Sequence, residues 1–456
     1  MRASVLVLLI LVQFICAQKY NIETVHSWKH LDFDFRTDTE RDAYIKNQHY
    51  KNCAISGVKV DSNGDIYVSI PRVKSNVPVT LAKIANGTQI LEAFPSWDVN
   101  DVLNTTLSLK SVRGFEIDGK NRMWILDQGR VQNKQIAPPQ LIVWDLEQDA
   151  LLYQHTFTEE EAPSQTSLLN DIVVSTADDI AYITDSGMPV DGSTSQPNPG
   201  IIFVDIDSDT TRRHLSGHLS TRVDPSVYIN VNGKKCEKDK PLQLGASAIG
   251  LSCDGQRLYW SPLTSRHLYG IETDILRMYK TNNAVVNASV VSVGKLSSAA
   301  SGLITSATRD IFLTGVESNA LLHVDEKQVA TYLQKITNEP EQTPSLKLLI
   351  NETNLLWPDS LSLSDGHIYI ASNNWCDFTQ GSLDFDNKDN FFVYRIKLNN
   401  LAHPYTAGCD VLTTNFGAVE IALISSGAAL FLASLVIVLI ISVRKKRKAG
   451  EYEVIQ

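Results

Sequence analysis

The chain has 456 residues, too many for one ordinary domain of ~100–200 residues unless repeats or a closed barrel organise it. Hydrophobic residues make up 43% and charged residues 20%, a globular balance that excludes a disordered chain and a polytopic membrane protein. A net charge of −10 and the lack of any CxxC pair exclude a nucleic-acid partner held by a basic stripe and a zinc ribbon.

Residues 1–17 carry Arg2, an apolar core from Val5 to Ile15 and Cys16-Ala17 ahead of polar Gln18. They predict a secretory signal peptide cleaved after Ala17. From there to about residue 400 one pattern returns: an apolar strand, a turn of Asp, Asn, Gly or Ser, then an apolar-aromatic-apolar triplet. The central aromatics are Tyr67, Trp124, Tyr182, Tyr259, Phe312 and Tyr369, at intervals of 57, 58, 77, 53 and 57 residues. Third strands follow most triplets, as in Leu141 to Asp145, Gly200 to Asp205 and Phe391 to Arg395. Small antiparallel units cannot bury both faces alone, so they stack radially, and a closed ring leaves no open end. The prediction is an all-β, six-bladed β-propeller over 18–400. Blade 6 is closed by sequence around Trp28 to Phe35, and an insertion at Thr211 to Leu244 accounts for the long interval.

Beyond a stalk at 401–420, Ile421 to Val443 runs 23 residues without a charge and meets Arg444 to Lys448, which predicts a single transmembrane helix with a basic cytoplasmic stop. The topology is type I, with the ectodomain extracellular or luminal, at the plasma membrane or in the endosomal system. Sequons at Asn86, Asn104, Asn287 and Asn351 fall on the secretory side, where glycosylation takes place. Removing Arg2 and the tail's excess of three positive charges leaves that side at −14. Ser425, Ala429 and Ala433 form a small-residue ridge that can seat a second helix. The tail, 444–456, ends in Tyr452-x-x-Ile455, similar to a sorting signal read by clathrin adaptors.

Loss of Cys16 leaves Cys53, Cys236, Cys253, Cys376 and Cys409, an odd number in an oxidising compartment. With the first strand of each blade innermost, Cys53 and Cys376 lie on the same face of neighbouring blades and are expected to pair. The same geometry gathers Arg113, Asn170, Asp171, Asp185, Ser318, Asn319, Asp359, Ser360, Asn373 and Asn374 at one channel mouth. Asn170, Asp171, Asp185, Asn319 and Asp359 form the expected ligand site. Three aspartates there invite a cation, either an organic amine or Ca²⁺, which takes 6–8 oxygen ligands; the alternative is that Asp and Asn only make the turns. No other cofactor is called for. Without HExxH, GxSxG, a P-loop or a dinucleotide glycine fingerprint, no catalytic residue can be assigned.

Trp28-Lys-His-Leu-Asp-Phe-Asp-Phe35, Pro71-Arg72, Asn170-Asp-Ile-Val-Val174, Ala181-Tyr-Ile-Thr-Asp-Ser-Gly187, Gly250-Leu-Ser-Cys-Asp-Gly255 and Trp357-Pro-Asp-Ser-Leu361 together resemble the Yellow / major royal jelly protein family in order and content over about residues 20–398. The resemblance implies the same propeller. It also implies a choice of functions, since some insect relatives bind biogenic amines in the channel and others act on dopachrome-type catechol derivatives. Three readings follow: an ectodomain binding a small amine or aromatic at the mouth, an enzyme of the dopachrome-converting or metal-dependent hydrolase kind, or an adhesion or matrix protein using its rim.

Overall fold

Each repeat folds as a four-stranded antiparallel sheet because short strands rich in β-branched and aromatic residues alternate with tight Asp-, Asn- and Gly-containing turns. The computed structural model describes residues 20–398, except 105–106, 237–240, 279–282, 327, 330–346 and 353, together with Cys409. Six such sheets are present. Their inner strands are Val58–Val60, Val112–Ile117, Leu169–Ser175, Ala246–Leu251, Leu303–Thr305 and Pro358–Ser364 for blades 1 to 6. These strands pack on one another in succession, and blade 6 packs back on blade 1. The result is a six-bladed β-propeller.

The first strand, Ile22–Trp28, is the outermost strand of blade 6, antiparallel to Phe391–Lys397, with Ile22 opposite Ile396 and Trp28 opposite Phe391. It therefore lies earlier in the chain than the predicted Trp28 to Phe35. Past Trp28 the chain turns away, and Phe33 bridges to Leu91 of blade 1.

Six apolar seams, one between each pair of neighbouring blades, form the core. Side chains along a strand alternate between faces, so each strand feeds two seams. Trp124 and Leu126 pack toward blade 3, whereas Ile125 packs toward blade 1. The repeated aromatics obey one rule throughout: Tyr67, Trp124, Tyr182, Tyr259, Phe312 and Tyr369 each enter the seam with the following blade. None is more than 8% exposed, and burial of ~150–250 Å² by each makes them the main apolar cement of the ring.

Thr210–His214 is the fourth strand of blade 3, so the insertion starts after His214 rather than at Thr211. It carries a small hairpin, Asn230–Val231 with Lys234–Lys235. Among the described residues no helix is long and apolar enough to cross a membrane. The predicted signal peptide, span and sorting motif at Tyr452 and Ile455 lie outside the described residues.

Candidate functional site

A polar residue followed by a small one or by Asp stands ahead of the apolar run of every inner strand: Ser56-Gly57, Arg113-Gly114, Asn170-Asp171, Ser247-Ala248, Ser301-Gly302 and Asp359-Ser360. In blades 2, 3, 4 and 6 the pairing register slips at this position. Such β-bulges re-aim a side chain and free a backbone N–H. Second-strand hydroxyls take up the freed groups. Ser69 Oγ accepts the Gly57 N–H at 2.8 Å and donates to Arg113 O at 2.7 Å. Thr184 Oγ1 accepts the Asp171 N–H at 3.2 Å and donates to Ser247 O at 2.8 Å. Neighbouring blades approach closely here: a Cβ on Gly114 would sit 2.5 Å from Asn170 O, and one on Gly302 would sit 2.3 Å from Asp359 O.

The six polar residues share an upper layer around the channel. Asp359 is its anchored anion, accepting from Ser56 Oγ at 2.9 Å, Asn373 Nδ2 at 2.8 Å and Ser301 Oγ. Burial raises its pKa, while these donors and the Arg113 charge pull it back. Asn170 Nδ2 donates to Ser247 Oγ at 2.8 Å, joining blades 3 and 4. Arg113 makes no such bond: its guanidinium lies 5.0 Å from the Trp375 ring centroid, and its Nε is sealed from solvent without a hydrogen-bond partner.

Trp375 begins a short helix, Trp375–Gln380, after the second strand of blade 6. This helix and the insertion roof the mouth. The Cys236–Cys376 disulfide, with Cα atoms 5.1 Å apart, ties them together. Beneath the roof is a cavity of about 210 Å³ lined by Arg72, Arg113, Arg130, Leu168, Met188, Leu242, Leu244 and Trp375, with Ser111, Gln128 and Asn133. Further into the channel, Lys59 Nζ donates to Glu116 Oε2 at 2.9 Å and to Leu361 O at 3.0 Å, an ion pair with both side chains less than 10% exposed. Asp171 belongs to this lower layer. Burial pushes its pKa up to about 7, against the pull of Lys59. A separate cavity of about 490 Å³ opens at the opposite end, between Glu116, Val173, Gly250 and Leu303.

Of the expected mouth residues, Arg113, Asn170, Asp359 and Asn373 are brought together, with Asp171 and Ser360 just below. Asp185 is not at the mouth. It accepts from Ser167 Oγ at 2.6 Å and from the N–H groups of Leu168 at 2.8 Å and Gly187 at 2.9 Å, and pairs with Arg213 at 2.8 Å. Asp127 does the same for blade 2 through the N–H groups of Lys110 and Ser111, so both are turn-fastening carboxylates. Asn319, at a φ of +49°, donates to Asn232 Oδ1 at 2.9 Å and so clamps the insertion hairpin to blade 5. Ser318 and Asn374 likewise bond within their own loops. Among the described residues no group of three His, Cys, Asp or Glu side chains is placed to hold a metal, because the three aspartates expected to converge occupy three different environments.

The disulfide expectation is corrected. Cys376 pairs with Cys236, and Cys253 pairs with Cys409. Among the described residues Cys53 is the unpaired cysteine; it sits in the core beneath Tyr44, whose Oη lies 3.6 Å from its Sγ, and burial pushes its thiol up to about 12. The insertion, which has no counterpart in the other blades, reaches across to the helix after blade 6 and supplies the partner that blade geometry alone does not reveal. Sequence reasoning also missed Ser56, Ser247, Ser301, Lys59, Glu116 and Trp375. The first three stand in the repeating polar-small dipeptide, and Lys59 and Glu116 are charged residues two positions past Gly57 and Gly114, inside apolar strands.

A ring of polar bulge residues under a disulfide-bonded roof defines a closed six-bladed propeller with a covered channel mouth. A family model described as major royal jelly protein matches residues 110–405, more than half of the chain. The chain belongs to the major royal jelly protein family. Major royal jelly protein 9 of Apis mellifera is 26% identical over 417 residues, 87% of this chain and 92% of that protein. Major royal jelly protein 3 of the same organism is 26% identical over 68% of this chain, and the match spans only 56% of its length. The dopaminechrome tautomerase of Drosophila melanogaster is 31% identical over 170 residues, 35% of this chain and 36% of that enzyme. Among solved structures, a luciferin-regenerating enzyme aligns with a TM-score of 0.47 at 10% identity, covering 84% of this chain and 97% of its own.

Proposed function

We propose that this protein is a ligand-binding propeller that takes a small aromatic molecule at its roofed upper mouth. The observation that carries the reading is the cavity itself, which is lined by the Trp375 ring, the Arg113 guanidinium and the apolar side chains of Leu168, Met188, Leu242 and Leu244. Apolar walls with a few aimed polar groups are the usual make-up of a small-molecule site. Calorimetric titration with a panel of aromatic compounds of either charge tests it, with Trp375→Ala expected to remove binding. The reading fails if no aromatic compound binds, or if the variant binds as well as the parent.

A second reading is a proton-transferring isomerase, supported by Asp171, which burial holds at about pH 7 inside the channel, where an acid–base group is most effective near neutrality. The Drosophila relative bears the name of a tautomerase. Turnover of an aminochrome that disappears in Asp171→Asn would favour it; equal rates in variant and parent would remove it. In either case the propeller is read as the extracellular or luminal part of a type I glycoprotein, anchored through 421–443 and sorted through Tyr452 and Ile455. A tail epitope that is reached only after permeabilisation is the expected result.

A further inference from the structure

The charge of the upper cavity selects its ligand. Three arginines line it, and none of its lining residues is acidic. Two of the arginines are committed to the framework. Arg72 donates to the carbonyl oxygens of Val77, Leu109, Lys110, Pro78 and Asn100. Arg130 donates to Met188 O, Ser164 O and Gln135 Oε1. Burial lowers the pKa of each to about 10, which leaves both charged at neutral pH, and their carbonyl partners carry no formal charge to cancel them.

Arg113 is the arginine left over. Its nearest counter-charge is Asp359, but that carboxylate is already held by Ser56, Ser301 and Asn373, and no ion pair forms between the two. Asp127 and Asp185 stand behind Arg72 and Arg130, outside the cavity. A guanidinium partly withdrawn from water, with its Nε sealed and unpaired, gains from a hydrogen-bonding anion, and its planar fork matches a carboxylate. Ser111 Oγ, which accepts the Arg72 N–H at 2.9 Å, also lines the cavity and can turn its own proton inward.

We propose that the ligand of the upper mouth is an aromatic carboxylate, its acid group held by Arg113 and its ring lying among Trp375, Leu242 and Leu244. This rests on the aromatic-ligand reading above and adds a sign to it. The same field disfavours an amine at this mouth, which reverses the expectation drawn from three converging aspartates.

The test uses the full chain in detergent and three probes that share one ring: indole-3-acetate, indole-3-acetamide and tryptamine. Calorimetry should find the acid at least about thirtyfold tighter than the neutral amide, the amount expected for a desolvated charge pair, with tryptamine weakest. Arg113→Gln should erase the preference for the acid over the amide, whatever its effect on ring binding common to both; Arg113→Lys, a point charge without the fork, should keep part of that preference. The comparison of probes on the unmutated protein holds even if a variant fails to fold. Equal binding of acid and amide, or tighter binding of tryptamine, overturns the carboxylate assignment while leaving an aromatic site in place. Failure of all three probes overturns the aromatic reading itself.

Discussion

Replacing Asp171 by Asn should stabilise the propeller, and by an amount that grows with pH. The side chain keeps its size and loses its charge. Asp171 is half-buried in the channel, near a Lys59 that already donates to Glu116, so its ionised form is poorly compensated and its pKa rises from 3.8 to about 7. A raised carboxylate contributes stability that is complete below pH ~4 and is lost as pH rises through 7, because the unfolded chain ionises first. At 1.36 kcal/mol per pH unit, and with solvent screening of a half-buried carboxylate, the variant's advantage should be no more than about 1 kcal/mol at pH 4.5 and rise to at most ~4 kcal/mol at pH 8, where it levels off. Urea unfolding of the disulfide-intact propeller at pH 4.5, 6 and 8, for parent and variant, reads this directly. If instead Asp171 formed the working ion pair with Lys59, the variant would be less stable, and increasingly so toward high pH. That outcome, or a difference independent of pH, would refute the account of the channel's lower layer.

Gly114→Ala and Gly302→Ala should each destabilise by about 1–3 kcal/mol, since the new methyl meets backbone rather than a movable side chain; unchanged urea midpoints would argue against the close blade approach. Removal of residues 20–28 should lower the melting temperature of the whole ring, because blade 6 would lose its outer strand. Peptide mapping without reduction should recover Cys236 with Cys376 and Cys253 with Cys409, and Cys53→Ser should leave both crosslinks intact. Opening the roof with Cys236→Ser together with Cys376→Ser should weaken aromatic binding more than Cys253→Ser does, as measured by calorimetry.

The ring was legible in the sequence because its cause is periodic. Six aromatic triplets in register require six equivalent sheets, and the structure gives each aromatic the same seam. The mouth was legible only in part. Asp185 and Asp359 both stand at strand ends on the same side of the ring, and composition cannot tell a carboxylate that fastens a turn from one that faces the channel; the bulge makes the difference. The polar-small dipeptide recurs six times and marks the channel layer better than a search for acidic residues, which passes over Ser56, Ser247 and Ser301. The roof was illegible. An insertion has no repeat to align it with, so nothing local announces that Cys236 crosses to Cys376 and brings Trp375 over Arg113.

The closure of blade 6 has a consequence for how the protein is made. Among the strands of the ring, Ile22–Trp28 is made first, but its partner strand, Phe391–Lys397, follows more than 360 residues later. At ~5–20 residues per second the first strand waits on the order of 20–70 s with its edge unpaired. The seam between blades 6 and 1 cannot close in that interval, so the apolar side chains of Val58, Ile66 and Val68 also wait. Maturation of this chain is therefore governed by its most non-local pairing, and a substitution in either of these two strands is expected to act on the yield of folded protein before it acts on the affinity of the finished one.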